Sequence, residues 1–447
     1  MTPVASADTG ESIIAAAATQ RITPAALATY GLMAFPLAFA GLPIYLHAPE
    51  FYASTLGQSL TSLGLALLAL RVVDALQDPL IGSLSDRYHT HRRGIIIAGA
   101  LMLGGGFWML FHPAPTCRLA WFSLAVFVCT TGFSIVSINL QALGGIWVAT
   151  ETDRTKITGW REGFGLLGLL TAAIAPVLLG NAEDPARAFH LLTLLYVPIL
   201  FIAAGLLLRW MKQAPLAYHK ASPDLGVAGR AGLASLLSDP WRRSFYAIFA
   251  LNTFASAIPA VLVLFFIKDR LQAEGLTGLF LLLYFLSGAL SMALWQWMAR
   301  RTSKLTAWGL SMALSIFTFF WAVFVGAGDA TAYGVICILS GLALGGDLAL
   351  PPAILADHID QRRAQAEASR LFSAMTLLSK GSLAVATGLA LPLLGLAGYQ
   401  PGVEMSADMN LALSLTYAAL PCLLKLVTLA LLILSAERIA SPDPAGA

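Results

Sequence analysis

Apolar runs of about twenty residues, the length an α-helix needs to cross a bilayer, recur along this chain. They occupy residues 25–46, 61–84, 94–111, 119–146, 164–179 and 189–208, then 245–267, 279–298, 305–325, 333–356, 371–396 and 411–434. Most are separated by short polar turns. The exception is 213–243, which carries Pro215, Pro223, Gly226, Gly229 and Pro240 and divides the pattern six and six. The pattern predicts an all-α integral membrane protein of twelve transmembrane helices in two six-helix bundles. The first bundle, with a short tail, covers 1–212, the linker 213–243, and the second bundle with its tail 244–447. A weak internal echo supports the division. Span 2 leads into Gly82, Asp86, Arg87, Arg92 and Arg93, while span 8 ends in Arg300 and Arg301 with Lys304 beyond.

Composition agrees with the pattern. Of 447 residues, 58% are hydrophobic and 11% charged, against about 45–50% and 25% in a soluble domain; mean hydropathy is +0.76. A net charge of +3 carries no signal for nucleic acid. The position of the charge says more. Arg87, Arg92, Arg93, Arg154, Arg209 and Lys212 fall on one side with most other basic residues, whereas the opposite loops hold only Arg118, Arg187, Lys268 and Arg270. The excess of Lys and Arg on cytoplasmic loops places both termini and the linker in the cytoplasm of a multi-pass cell-membrane protein. The N-terminal segment lacks the basic and apolar regions of a signal peptide and reads, like the C-terminal SPDPAGA, as a poorly ordered tail.

Enzyme chemistry finds no purchase. Cys117, Cys129, Cys337 and Cys422 match no metal or redox spacing. There is no phosphate-binding glycine loop, no nucleophile elbow and no zinc-spaced His pair; His89 and His91 stand two apart in a basic turn. No enzyme activity and no cofactor are expected.

The informative positions are the polar ones inside apolar helices. Span 2 holds Asp74 and Asp78, and a lone acid at mid-bilayer costs about 2.5–3.5 kcal/mol on insertion scales. Spacing i, i+4 places both on one helix face, with Arg71 on the same stripe. The pair is either a cation- or proton-carrying site or a buried ion pair with Arg71 or Lys380. Two acids exceed what one salt bridge needs, and with Gln77 or a span-4 hydroxyl they begin an oxygen cage suited to a hard cation. Lys380 stands alone deep in span 11. Lys425 has no partner legible in the sequence and reads as a snorkelling or structural lysine. Asp347, beside Gly345 and Gly346, is either a cavity ligand or an acid satisfied by a neighbouring helix.

Arg71, Asn139, Gln141, Arg161, Asn252 and Asp347 form the expected polar lining of a substrate cavity, with helix bridging as the plainer role for Asn139, Gln141 and Asn252. Arg154 reads individually as a loop charge. Tyr30, Tyr284, Trp295 and Trp308 read as interfacial or core aromatics. At the basic end, Asp86, Arg87, Arg154, Asp357, Asp360 and Arg363 form a candidate gate of ion pairs that break on opening; Asp86 and Asp357 are the members that topology alone does not explain.

The string Asp74-Ala-Leu-Gln-Asp78-Pro79-Leu-Ile-Gly82, continuing to Asp86-Arg87, resembles the signature of the glycoside–pentoside–hexuronide:cation symporters. These are the melibiose-carrier-like branch of the major facilitator superfamily. Arg154 through Arg161, Pro351 through Asp360, Lys380, and the Gly398-Tyr399-x-Pro401 turn resemble further blocks of that family, in order along the chain. The resemblance implies the major facilitator fold, with a solute site between two halves and alternating access. It further implies a coupling cation, Na⁺ or H⁺, held at Asp74 and Asp78, with Lys380 as their counter-charge. Two positions depart from the family. An acid of span 4 is replaced by Ser137, with Ser134 one turn earlier as a hydroxyl donor, and the sugar-binding acid of span 1 aligns with Ala38. The expected partners are a small-molecule solute, the coupling cation and the lipid bilayer, without nucleic acid, in a functional monomer. The expected activity is symport of a sugar or sugar-like solute. The alternatives are a carrier or exporter of amphipathic, lipid-like molecules, and a non-transporting sensor or scaffold.

Overall fold

The computed structural model describes residues 22–114, 118–179, 184–217, 239–396 and 406–440. The two tails, Cys117, most of the 213–243 linker and the Gly398-Tyr399-x-Pro401 turn lie outside the described residues. Among the described residues the structure is helical, with one isolated extended bridge between Trp147 and Leu216. Nine helices there are long and apolar enough to cross a membrane. We label these α1 (Pro24–Tyr45), α3 (His89–Phe111), α4 (Arg118–Ile146), α6 (Pro185–Gln213), α7 (Pro240–Arg270), α8 (Glu274–Arg301), α9 (Lys304–Val323), α10 (Ala330–Gln361) and α12 (Ala407–Leu434). Three more, α2 (Leu60–Arg87), α5 (Glu151–Leu178) and α11 (Ala368–Leu396), have spanning length at 28, 28 and 29 residues. At about 1.5 Å per residue each reaches roughly 42 Å.

The helix starts follow from local chemistry. Asp184, Asp239, Ser303 and Ser406 each accept a backbone N–H of the first turn, satisfying a donor that the helix itself cannot. The α5 boundary differs from expectation. The helix begins at Glu151 rather than near residue 164, so Arg154 and Arg161 are helical. The preceding polar turns are amphipathic: Asp153, Arg154, Thr155 and Thr158 are buried, and their polarity hid them from an apolarity count.

The chain divides into two units, Met1–Gly226 with Leu355–Ser373, and Val227–Ile354 with Ala374–Ala447. The end of α10 and the start of α11 therefore belong to the first unit. In unit 1, α3 packs on α4, α1 on α5, and α2 on α4. The α3–α4 approach requires Gly132, where a Cβ would lie 2.6 Å from the Gly99 carbonyl oxygen. The Tyr30 hydroxyl donates to the Leu140 carbonyl at 2.8 Å, and Tyr196 to that of Pro36 at 3.1 Å. In unit 2, α7 and α9 pack on α12. An aromatic core joins them, with Phe266 stacked on Tyr417 at 4.1 Å and the Tyr333 and Tyr417 hydroxyls 2.6 Å apart. Leu80, Leu290 and Leu434 are among many large apolar side chains left exposed, the surface that acyl chains cover in a membrane protein.

Candidate functional site

Asp74 and Asp78 are buried on α2, at 4% and 0% exposure. The Ser134 hydroxyl of α4 donates to Asp74 Oδ1 at 3.1 Å, and Gln77 Nε2 donates to the same oxygen at 3.0 Å. Gln77 Oε1 in turn accepts from Thr131 Oγ1 at 3.0 Å. Thr131 and Ser134 are i, i+3 on α4, so one face of that helix presents two hydroxyls to the acid-bearing face of α2. Pro79, inside α2, cannot donate to the Ala75 carbonyl, which releases a backbone oxygen beside the acids. Among the described residues no three His, Cys, Asp or Glu side chains gather for a metal ion. A cation at Asp74 and Asp78 would thus complete its shell with hydroxyl, amide and backbone oxygens, the donor set a hard monovalent or alkaline-earth ion accepts.

The other positions divide. Ser137 accepts from Gln141 Nε2 at 3.3 Å within α4, and the hydroxyl that meets Asp74 is Ser134. Thr131, which sequence reading missed, was legible only as a hydroxyl one turn before Ser134. Arg71 turns its guanidinium over the Tyr45 ring, 4.7 Å from the centroid. Asn139 bridges helices, donating to Ser85 Oγ at 2.9 Å and to the Ile135 carbonyl at 2.8 Å. Arg161 is buried and its Nε donates to Glu162 at 3.0 Å. Lys380 lies half-buried on α11, within unit 2.

At the arginine-rich end of unit 1, Asp86 accepts the Ser369 N–H at 3.0 Å and the Arg370 N–H at 2.8 Å. These are the second and third residues of α11, so Asp86 caps that helix from α2, where its free N–H groups and dipole favour a negative charge. Arg92 joins, 3.2 Å from Asp86 and 2.9 Å from Ser369 Oγ. Burial pushes the Asp86 carboxyl up to about 6, with Arg92 and the α11 donors opposing. Gly82 permits the approach, since a Cβ there would lie 2.8 Å from the Ser369 carbonyl oxygen. Arg154, expected as a loop charge, is instead buried at 2%. It pairs with Asp357 at 3.4 Å and Asp360 at 2.9 Å and donates to the Gly145 carbonyl at 3.1 Å. Arg87 and Arg363 stand exposed outside this cluster; Arg87 lies over its neighbour Tyr88, and Arg363 takes a left-handed φ of 51° just past α10.

Unit 2 holds a second buried polar group. Lys425 Nζ on α12 lies 2.6 Å from Asp347 Oδ2 on α10 and 3.0 Å from Asn252 Oδ1 on α7. The Trp308 indole of α9 donates to Asp347 Oδ1 at 3.1 Å. Of the two roles expected of Lys425, snorkelling is overturned and a structural one stands. Its partners lie 78 and 173 residues away in sequence, a convergence that no local pattern reveals. Asn252 and Asp347, expected in a cavity, belong to this network, and Asp347 and Lys425 border a cavity of about 310 Å³.

The helical architecture and the buried acids meet a decisive match: the MFS/sugar transport protein family model covers residues 27–435. The chain belongs to the MFS/sugar transport protein family. It is a major facilitator transporter, a multi-pass membrane protein, and its melibiose-carrier-like resemblance holds. A putative glycoside/cation symporter of Escherichia coli is 26% identical over 27% of each chain. The sodium-dependent lysophosphatidylcholine symporter 1-A of Danio rerio is 29% identical over 34% of this chain and 29% of its own length, so the chain spans under a third of that relative. The mouse sphingosine-1-phosphate transporter MFSD2B is 21% identical over 83% of this chain and 80% of its own. For the fold alone, a bacterial homologue of the iron transporter ferroportin in an outward-facing state superposes with a TM-score of 0.71 at 16% identity, over 92% of this chain and all of that one.

Proposed function

We propose that this transporter couples entry of a cation, Na⁺ or H⁺, to uptake of an organic solute by alternating access. In this reading α2, α5 and α11 complete a set of twelve spans with both termini cytoplasmic. The carrying observation is the gathering of Ser134, Gln77 and Thr131 around Asp74, with Asp78 buried one turn on. The same oxygens can serve a proton or a sodium ion. The Asp86 and Arg154 clusters act as the cytoplasmic gate, because each ties the α10–α11 turn to unit 1 through bonds that can be broken and remade.

For the solute, a sugar-like molecule is supported by the family description and the glycoside/cation relative. A second reading, an amphipathic solute, is favoured by the unit 2 cavity, whose walls are mostly apolar around one ion pair. The two named lipid transporters point the same way. The test is uptake into proteoliposomes under imposed Na⁺ or H⁺ gradients, over a panel of glycosides and lysolipids. Gradient-driven accumulation that survives Asp74→Asn with Asp78→Asn would overturn the coupling assignment.

A further inference from the structure

We infer that the unit 2 cavity is a binding site for a net-neutral amphiphile whose polar end carries both a hydrogen-bond donor and an acceptor, as a monoacylglycerol does. Its wall includes Pro259, Val263, Phe280, Phe285, Phe319 and Ile336, and its polar end is Asp347 and Lys425. About 310 Å³ falls at the small end of the range for small-molecule pockets, about 300–1,000 Å³. That volume suits one short chain rather than a diacyl lipid.

The polar end selects the headgroup. An ammonium has three donors, and among the described residues Lys425 spends two, on Asp347 and Asn252. The third is available to a ligand acceptor. Asp347 takes the Trp308 indole on one oxygen and Lys425 on the other, which leaves lone pairs for a ligand donor. Tyr284, on the same wall, uses only its carbonyl, which accepts from Ser287 at 3.0 Å; its hydroxyl makes no hydrogen bond among the described residues and can serve either role. The pair is already neutral. A free anion entering beside it meets Asp347, and a free cation meets Lys425, so neither gains what a lone charge would give. A purely apolar ligand leaves the third ammonium N–H and the phenol unmet, at the cost of a buried polar group. Water satisfies the polar end but not the apolar wall. A hydroxyl-bearing head on an apolar tail satisfies both.

This inference rests on the amphipathic reading of the solute, but its test does not pass through the cation site. Equilibrium binding to the full chain in lipid nanodiscs compares monocaprylin with caprylate, octylamine and glycerol. These probes hold the tail constant while changing head charge, or keep the head and remove the tail. Saturable binding of monocaprylin, about tenfold or more tighter than any of the other three, is expected. Caprylate or octylamine binding as tightly would overturn the inference without any mutation. In Lys425→Met with Asp347→Asn the preference for monocaprylin should vanish, and Ser340→Phe, which fills the cavity, should abolish binding of all three tailed probes. Unchanged monocaprylin affinity in both variants would place the site elsewhere. A cation-dependent shift in thermal stability is read in parallel on each protein. Its presence in the variants shows that they are folded. Its absence from the wild-type chain would sink the coupling reading while leaving the binding result intact.

Discussion

Unit 1 and unit 2 each place an acid in the middle of a long helix within about a turn and a half of a proline, and they satisfy it in different ways. Around Asp74 the structure gathers a hydroxyl and a carboxamide, from Ser134 and Gln77. Around Asp347 it gathers an ammonium and an indole, from Lys425 and Trp308. Hydroxyl and amide groups can rotate to present oxygen to an arriving cation, so the first arrangement can exchange its ion. The second is neutral as built and has no need of a transported charge. On the proposed function, coupling falls to unit 1 and solute chemistry to unit 2. It is sharpest under substitution. Asp74→Asn with Asp78→Asn should reduce gradient-driven accumulation to the passive leak, while counterflow of solute without a gradient persists. An equal loss of both would mean that the acids are needed for folding or for binding rather than for coupling.

The unit 2 pair predicts the reverse signature. Lys425→Met leaves Asp347 buried beside a thioether, and breaking one partner of a buried pair costs about 3–5 kcal/mol. Thermal stability should fall accordingly. Adding Asp347→Leu should return it to within about 1 kcal/mol of wild type, because an apolar pair of similar volume avoids the desolvation that the ions bear. A double variant no more stable than the single would show that the pair does more than neutralise itself.

Arg154 tests the gate. Its guanidinium is 2% exposed, but Asp360 is 54% exposed, so solvent takes over part of that carboxylate's loss. Arg154→Ala should cost about 3 kcal/mol, near the low end for a broken buried pair. It should also speed proteolytic cutting in the α10–α11 turn. Arg363→Ala, outside the cluster, should do neither.

How much of this was legible beforehand follows from where the signal lives. Apolar length and the Lys/Arg bias are local properties, so the helices and the acid pair on α2 could be read residue by residue. Asp86 could be flagged as an acid that topology does not need, yet its role as the cap of α11 required two helices brought together from 283 residues apart. Arg154 was misread as a loop charge because its helix begins with a polar, buried stretch that mimics a loop in hydropathy. Lys425 could be read only as snorkelling or structural, because a lone lysine in an apolar span looks the same whether it snorkels or meets an acid from another helix.

The Asp86 cap carries a pH signature. Burial raises its carboxyl to about 6 in the folded protein, against about 3.9 when exposed. Between those values the folded state binds more protons than the unfolded one, so stability falls as pH rises from about 4 to 6 and is flat above. The fall should be on the order of 3 kcal/mol for this group. Asp86→Asn should remove that part of the slope in thermal unfolding measured across the window, and an unchanged slope would assign it to other groups.

The smallest effect separates two serines three residues apart on α4, about 4.5 Å along its axis. Ser134 donates to Asp74, whereas Ser137 accepts from Gln141 on its own helix. Membrane-helix hydrogen bonds of this kind average about 0.6 kcal/mol, so neither Ser→Ala change should perturb folding much. Cation dependence should distinguish them. Ser134→Ala removes an oxygen from the shell around Asp74 and should raise the cation concentration for half-maximal uptake a few-fold, at unchanged maximal rate. Ser137→Ala should leave that concentration where it is. The family pattern puts its third acid at Ser137, so a cation response at Ser137 and none at Ser134 would mean that the ion sits one turn nearer the arginine-rich end than the Asp74 contacts place it.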